Sequence, residues 1–82
     1  MTKESLKEIA SIIYSFEIQA RDLDATTEEC IRSKMYGNAN GYNMIATGVL
    51  TCKRLILDRY EPKERIKIKT EVENIRKRVE GK

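Results

Sequence analysis

Tyr36, Asn40, Asn43 and Thr47 recur at steps of four, three and four residues. A helix through them gathers four uncharged hydrogen-bonding side chains on one face. Amides and a phenol ring of this kind can read the edge of a nucleobase or stack on its face. Gly37 and Met44 lie alongside and would permit close contact, while Lys34 and Arg54 stand near the two ends, within reach of phosphates. Lys34, Tyr36, Asn40, Asn43, Thr47 and Arg54 are therefore the candidate ligand-binding set, and an anionic nucleotide is the chemistry they suit. The plainer reading of the same stripe is solvated surface, or hydrogen bonding to a neighbouring helix in an oligomer.

Catalytic chemistry finds little support. There is no His, so acid–base work would fall to carboxylates, Lys, Tyr or Cys, and neither cysteine has a His to activate it. The acids stand among Lys and Arg, as surface pairs do. Gly37-Asn38-Ala39-Asn40-Gly41 lacks the Lys-Ser/Thr ending of a phosphate-binding loop. Without His or a close cysteine pair, no metal or cofactor is expected. Cys30 and Cys52 would lie roughly 33 Å apart on one helix, too far for an intrachain disulfide. An enzyme is not the expectation; a binding protein is.

The elements that must position these residues follow from periodicity. From Met35 to Cys52 the chain runs eighteen residues without a charged side chain, although charged residues make up 35% of the whole, and this window holds three of the four glycines. At 3.5 residues per turn a stripe passes through it: Ile31, Met35, Asn38, Tyr42, Ile45, Val49, Cys52 and Ile56. Ala39 and Ala46 flank it on one side and Gly41 and Gly48 on the other, each pair seven apart, so another backbone can approach closely. Met35, Asn38, Ala39, Gly41, Tyr42, Ile45, Ala46, Gly48, Val49 and Cys52 are thus the expected interface. Cys52 should be buried in it, and Cys30, near the helix start, should be the more reactive thiol. Glycine and asparagine weaken a helix, and Asn40-Gly41 is a turn dipeptide, so a break at 37–41 competes with a continuous helix. The unshifted register favours the continuous helix.

Before that window, Leu6, Ile9, Ile13, Phe16 and Ala20 predict an amphipathic helix over about 3–21, with Thr2 as its N-cap. The pattern fades through Arg21–Ala25, and Thr26 with Glu29 fits a capping box, which sets the second helix at about 27–58. Pro62 suits the first turn of a third helix over 62–80, carried by Ile68, Val72, Ile75 and Val79 and stopped by Gly81.

Eighty-two residues make one domain, 1–82, at a size where a single core is barely sufficient. With only 40% apolar residues and no Trp, oligomerisation is the expected remedy. The uncharged window is too polar to cross a bilayer, and the charged opening does not read as a secretory leader, so a soluble cytoplasmic protein is expected. The net charge of +3 concentrates toward the C-terminus, but Glu64, Glu71, Glu73 and Glu80 interrupt its bases and no aromatics are interleaved. Nucleic acid binding by the basic C-terminal helix is the weaker alternative.

The stretch Ser33-Lys34-Met35-Tyr36-Gly37-Asn38-Ala39-Asn40-Gly41-Tyr42 resembles the Gly/Ala-punctuated helix of many short bacteriophage and prophage proteins. In size and three-helix layout the chain is also similar to phage anti-CBASS cyclic-nucleotide sponges, oligomers that hold the signal between protomers. The resemblance implies a phage-type accessory or anti-defence protein in the host cytoplasm that inhibits or sequesters a host factor, or alternatively a sponge for a cyclic nucleotide. The expected fold is all-α: a three-helix hairpin bundle with one long central helix, working as a homo-oligomer.

Overall fold

Thr2 starts the first helix as expected, its hydroxyl oxygen accepting from the Ser5 backbone N–H at 3.0 Å. In the computed structural model, which describes residues 1–81, α1 spans Lys3–Arg32, α2 Tyr36–Leu57 and α3 Pro62–Glu80, with no strand among the described residues. The all-helical, three-helix expectation holds, and the bounds of α3 are those that Pro62 and Gly81 suggest.

The first two helices are divided differently. No connection interrupts residues 21–26, and the longest helix is α1, at 30 residues, rather than a central one over 27–58. Thr26 does not cap anything: its hydroxyl donates to the Asp22 carbonyl at 3.0 Å, and that of Thr27 to Leu23 at 2.9 Å, both inside the helix. The reason lies in the buried side. Ala20, Leu23, Thr27 and Cys30 continue the spacing of Ile13 and Phe16, and each is buried or half-buried. Small and hydroxyl side chains carry that face, so the polar run is only the solvated side of an unbroken helix.

The break falls at Ser33–Lys34–Met35. Lys34 takes φ 61°, the left-handed region. The Lys34 N–H bonds Ile31 O at 3.0 Å and the Met35 N–H bonds Cys30 O at 2.8 Å, which together form a Schellman stop. Residues 37–41 are helical, as the unshifted register led us to expect, and Asn40-Gly41 makes no turn.

The chain runs up, down and up. Lys53 and Leu57 of α2 share a cleft with Glu17 and Ile13, so α2 returns antiparallel to α1. Glu64 lies beside Ser5, whereas Glu80 bonds Arg21, so α3 runs parallel to α1 and covers it as far as Arg21. The core sits at this end. Ala10, Ile13, Leu57, Ile68, Val72 and Ile75 are buried together, with Leu6, Ile9, Tyr14, Ile56 and Tyr60 packed around them. Val79, expected on the same face, is 61% exposed. Beyond Arg21 the structure is only the α1–α2 hairpin, closed through Ala20, Ala39 and Ala46.

Ion pairs tie the three helices at the edge of the core. Glu17 accepts from Arg76 of α3 and from Lys53 of α2, the latter at 3.0 Å. Glu80 accepts from Tyr14 and Arg21, each at 2.7 Å. Those two donors hold the Glu80 carboxyl below the usual carboxylate range. Donation to Glu80, partial burial and the neighbouring negative charge raise the Tyr14 phenol above its ordinary value.

A left-handed non-glycine residue is strained by about 1–2 kcal/mol, part of which a glycine returns as freedom of the unfolded chain. Lys34→Gly should therefore stabilise the protein by about 0.5–1 kcal/mol in urea titration. Folding favours ionised Glu80, a contribution present above about pH 4.3 and lost as pH falls through its depressed value. Folding also favours protonated Tyr14, a contribution present below about pH 10 and lost as pH rises through its raised value. In thermal melts against pH, Glu80→Gln should flatten the acid side of the stability profile and Tyr14→Phe the alkaline side.

Candidate functional site

Helix α2 has two faces of different character. Ala39, Ala46 and Leu57 point into the fold, with Ala39 5% and Ala46 2% exposed. Alanine at this seven-residue spacing lets the α2 backbone approach α1 closely. At 100° per residue, the opposite side carries Gly37, Gly41, Met44, Ile45, Gly48, Cys52 and Leu55. Met44 is 65% exposed and Ile45 and Leu55 55% each. The first charges after the window, Lys53 and Arg54, fall toward the α1 side, where Lys53 binds Glu17. The outer face is therefore free of charge from Gly37 to Leu55, a length of roughly 28 Å. Gly37, Asn38, Gly41, Tyr42 and Ile45 form a shallow furrow of 280 Å³ along it.

The expected interface is thus split between two neighbours. Ala39 and Ala46 are buried against α1 and Val49 is half-buried, while Met35, Asn38, Gly41, Tyr42, Ile45, Gly48 and Cys52 are exposed. The seam was read at 3.5 residues per turn across Ile31 and Met35, but the turn at Lys34 separates those two, and α1 takes the alanine edge instead. Cys52 is consequently exposed and Cys30 half-buried, the reverse of the expected order within one chain.

The outer glycines have no role inside the chain. A Cβ built on Gly37, Gly41 or Gly48 meets nothing within 4 Å, and none has positive φ. Gly41 and Gly48, inside the helix, each weaken it by about 1 kcal/mol relative to alanine.

The structure brings together part of the hydrogen-bonding stripe. Tyr36, Asn40 and Asn43 converge with Thr27 and Ile31 of α1 on an open groove of 380 Å³. Thr47 and Arg54 line a separate depression of 290 Å³ with Leu50 and Thr51. The Thr47 hydroxyl donates to Asn43 O at 3.0 Å, so it is engaged by its own helix. Lys34 sits on the turn and lines neither depression. The groove that holds the tyrosine and the asparagines thus has no cation in its lining.

Sequence reasoning did not find the cleft between the three helices, where Glu17, Lys53, Lys69, Glu73 and Arg76 face one another over 240 Å³. Its partners are 36 and 59 residues apart along the chain, and no local pattern links them. Glu17 and Glu73 neutralise Arg76 there, which suits a structural clasp. Other α3 bases are paired as well: Arg65 with Asp58 at 4.0 Å, Lys67 with Glu64 at 3.7 Å and Arg78 with Glu71 at 3.9 Å. Among the described residues, no group of three or more His, Cys, Asp or Glu is placed to hold a metal ion, and no helix is long and apolar enough to cross a membrane.

No family model matches the chain, and comparison with curated proteins and with solved structures finds no match.

Because the space around Gly48 is open, Gly48→Ala should stabilise the isolated chain by about 1 kcal/mol. Chemical denaturation at high dilution, where self-association is suppressed, checks this. A destabilised variant would mean that Gly48 is required by the chain's own fold.

Proposed function

We propose that this chain is a non-enzymatic binding protein that works as a small homo-oligomer, with the outer face of α2 as its contact surface. One observation carries the reading: an uncharged helix face with half-exposed Met44, Ile45 and Leu55 is paved with glycines that the chain's own packing does not use. Exposed apolar surface of this extent on a small domain marks a site of association. The far half of the hairpin, closed mainly by alanines, would gain most from being covered. The resemblance of Ser33–Tyr42 to phage accessory helices extends the proposal to a protein that occupies or sequesters a host factor in the host cytoplasm.

A second reading draws on the convergence of Tyr36, Asn40 and Asn43 on one groove: a cyclic nucleotide held between protomers. It requires a second copy to bring Lys34 or Arg54 to the phosphate, since the groove itself is lined by no cation. A thermal-shift screen against cyclic nucleotides tests it. A ligand at a hundred times its dissociation constant adds about 2.7 kcal/mol, and Asn40→Ala should abolish that shift without changing the oligomer.

For the principal reading, light scattering at micromolar concentration should give the mass of two chains or more. Ile45→Asp should return the protein to a monomer with unchanged helical circular dichroism, because Ile45 touches solvent in the single chain. Labelling of Cys52 by a thiol reagent should slow as protein concentration rises, while labelling of Cys30 should not. A wild-type protein that scatters as a monomer and labels at Cys52 independently of concentration sinks the proposal.

A further inference from the structure

We infer that the outer face of α2 receives the same face of a second copy running in the opposite direction, about a two-fold axis level with Ala46. This rests on the homo-oligomer reading and adds its partner geometry.

The order of side-chain sizes along the face carries the argument. From Gly37 it runs small at Gly41, large at Met44 and Ile45, small at Gly48, intermediate at Cys52 and large at Leu55. Laid against its own reverse, Gly37 falls opposite Leu55, Gly41 opposite Cys52, and Gly48 opposite Met44 and Ile45. Symmetry repeats each contact, as a two-fold interface requires. Every gap left by a missing side chain is then filled by a protruding one. A parallel pairing instead sets glycine against glycine and Met44 against Met44, so the large side chains hold the backbones apart where the glycines leave voids, and packing of that kind is penalised.

The helix dipoles point the same way. The antiparallel alignment sets the positive end of each helix beside the negative end of its partner, whereas the parallel alignment sets like ends together and places Lys34 beside Lys34. The exposed fractions of Tyr42, Met44, Ile45 and Leu55, 37–65%, and exposed Cys52 let a pair cover on the order of 1,000 Å², the lower limit for a specific interface.

Disulfide trapping in a Cys30→Ser background tests the orientation, with light scattering run on the same samples. In the antiparallel pair, Cys52 stands roughly 17 Å along the axis from the partner's Cys52, beyond disulfide reach. The chain carrying Cys52 alone should therefore give no covalent dimer under mild oxidation. A Gly41→Cys, Cys52→Ser chain should give none by itself. Mixed and re-equilibrated, the two should form a covalent heterodimer rapidly. Rapid disulfide formation by the Cys52-only chain, in a sample shown to be dimeric, would overturn the antiparallel geometry and leave the homo-oligomer reading standing. That chain is unaltered across the proposed contact, so its result does not depend on how Gly41→Cys packs. A monomeric mass with no trapping in the mixture would overturn the homo-oligomer reading, and the pairing with it.

Discussion

Ala20, Ala39 and Ala46 are all buried where α1 and α2 run past each other, and at these positions a larger side chain would push the helices apart. The closeness they permit determines which edge of α2 turns inward. Once the alanine edge is committed to α1, the glycines, Met44, Ile45 and Leu55 have to face away. Buried methyl groups remove little apolar area from water, so this contact sets geometry more than it supplies stability.

Stability is supplied at the other end. Ile13 and Ile68 are the largest fully buried side chains, and the cluster around them joins all three helices. Glu17 fastens the same junction by holding Arg76 of α3 and Lys53 of α2. Exposed ion pairs contribute little on their own, but Glu17 is among the better shielded of these groups and binds two cations from two helices. Because α3 ends at the level of Arg21, the hairpin beyond it has one packed side and one open side. Local stability should fall along α1 from Ile13 toward Arg32, since few buried contacts restrain the far turn.

The open outer face of α2 is therefore a consequence of how the chain divides its own packing. Glycine where alanine would fit weakens α2, in a chain whose size already leaves little stability to spare. A second copy with its large side chains opposite those glycines would offset that loss by burial and close packing. The groove of Tyr36, Asn40 and Asn43 lies on a different flank of the same helix, toward α1.

Much of this was legible in the residues. Thr2 as a cap, Pro62 as a helix start and the buried side of Ile13, Ile68, Val72 and Ile75 all follow from local rules of capping and periodicity. So does the uncharged character of Met35–Cys52. Periodicity reports which side chains share a face, but not which neighbour takes that face. That limit explains why the alanine and glycine edges of α2 read as one seam, when α1 covers only the alanines. The turn at Ser33–Met35 was not legible because Lys34 adopts a backbone conformation that glycine usually marks, and nothing in its side chain signals it. Nor was the Glu17 clasp, whose partners are separated by 36 and 59 residues. Local rules were enough for three helices and their apolar sides. Where α1 stops and which side of α2 stays open depended on packing, because close approach of two distant segments outweighs the weak local preferences of the residues between them.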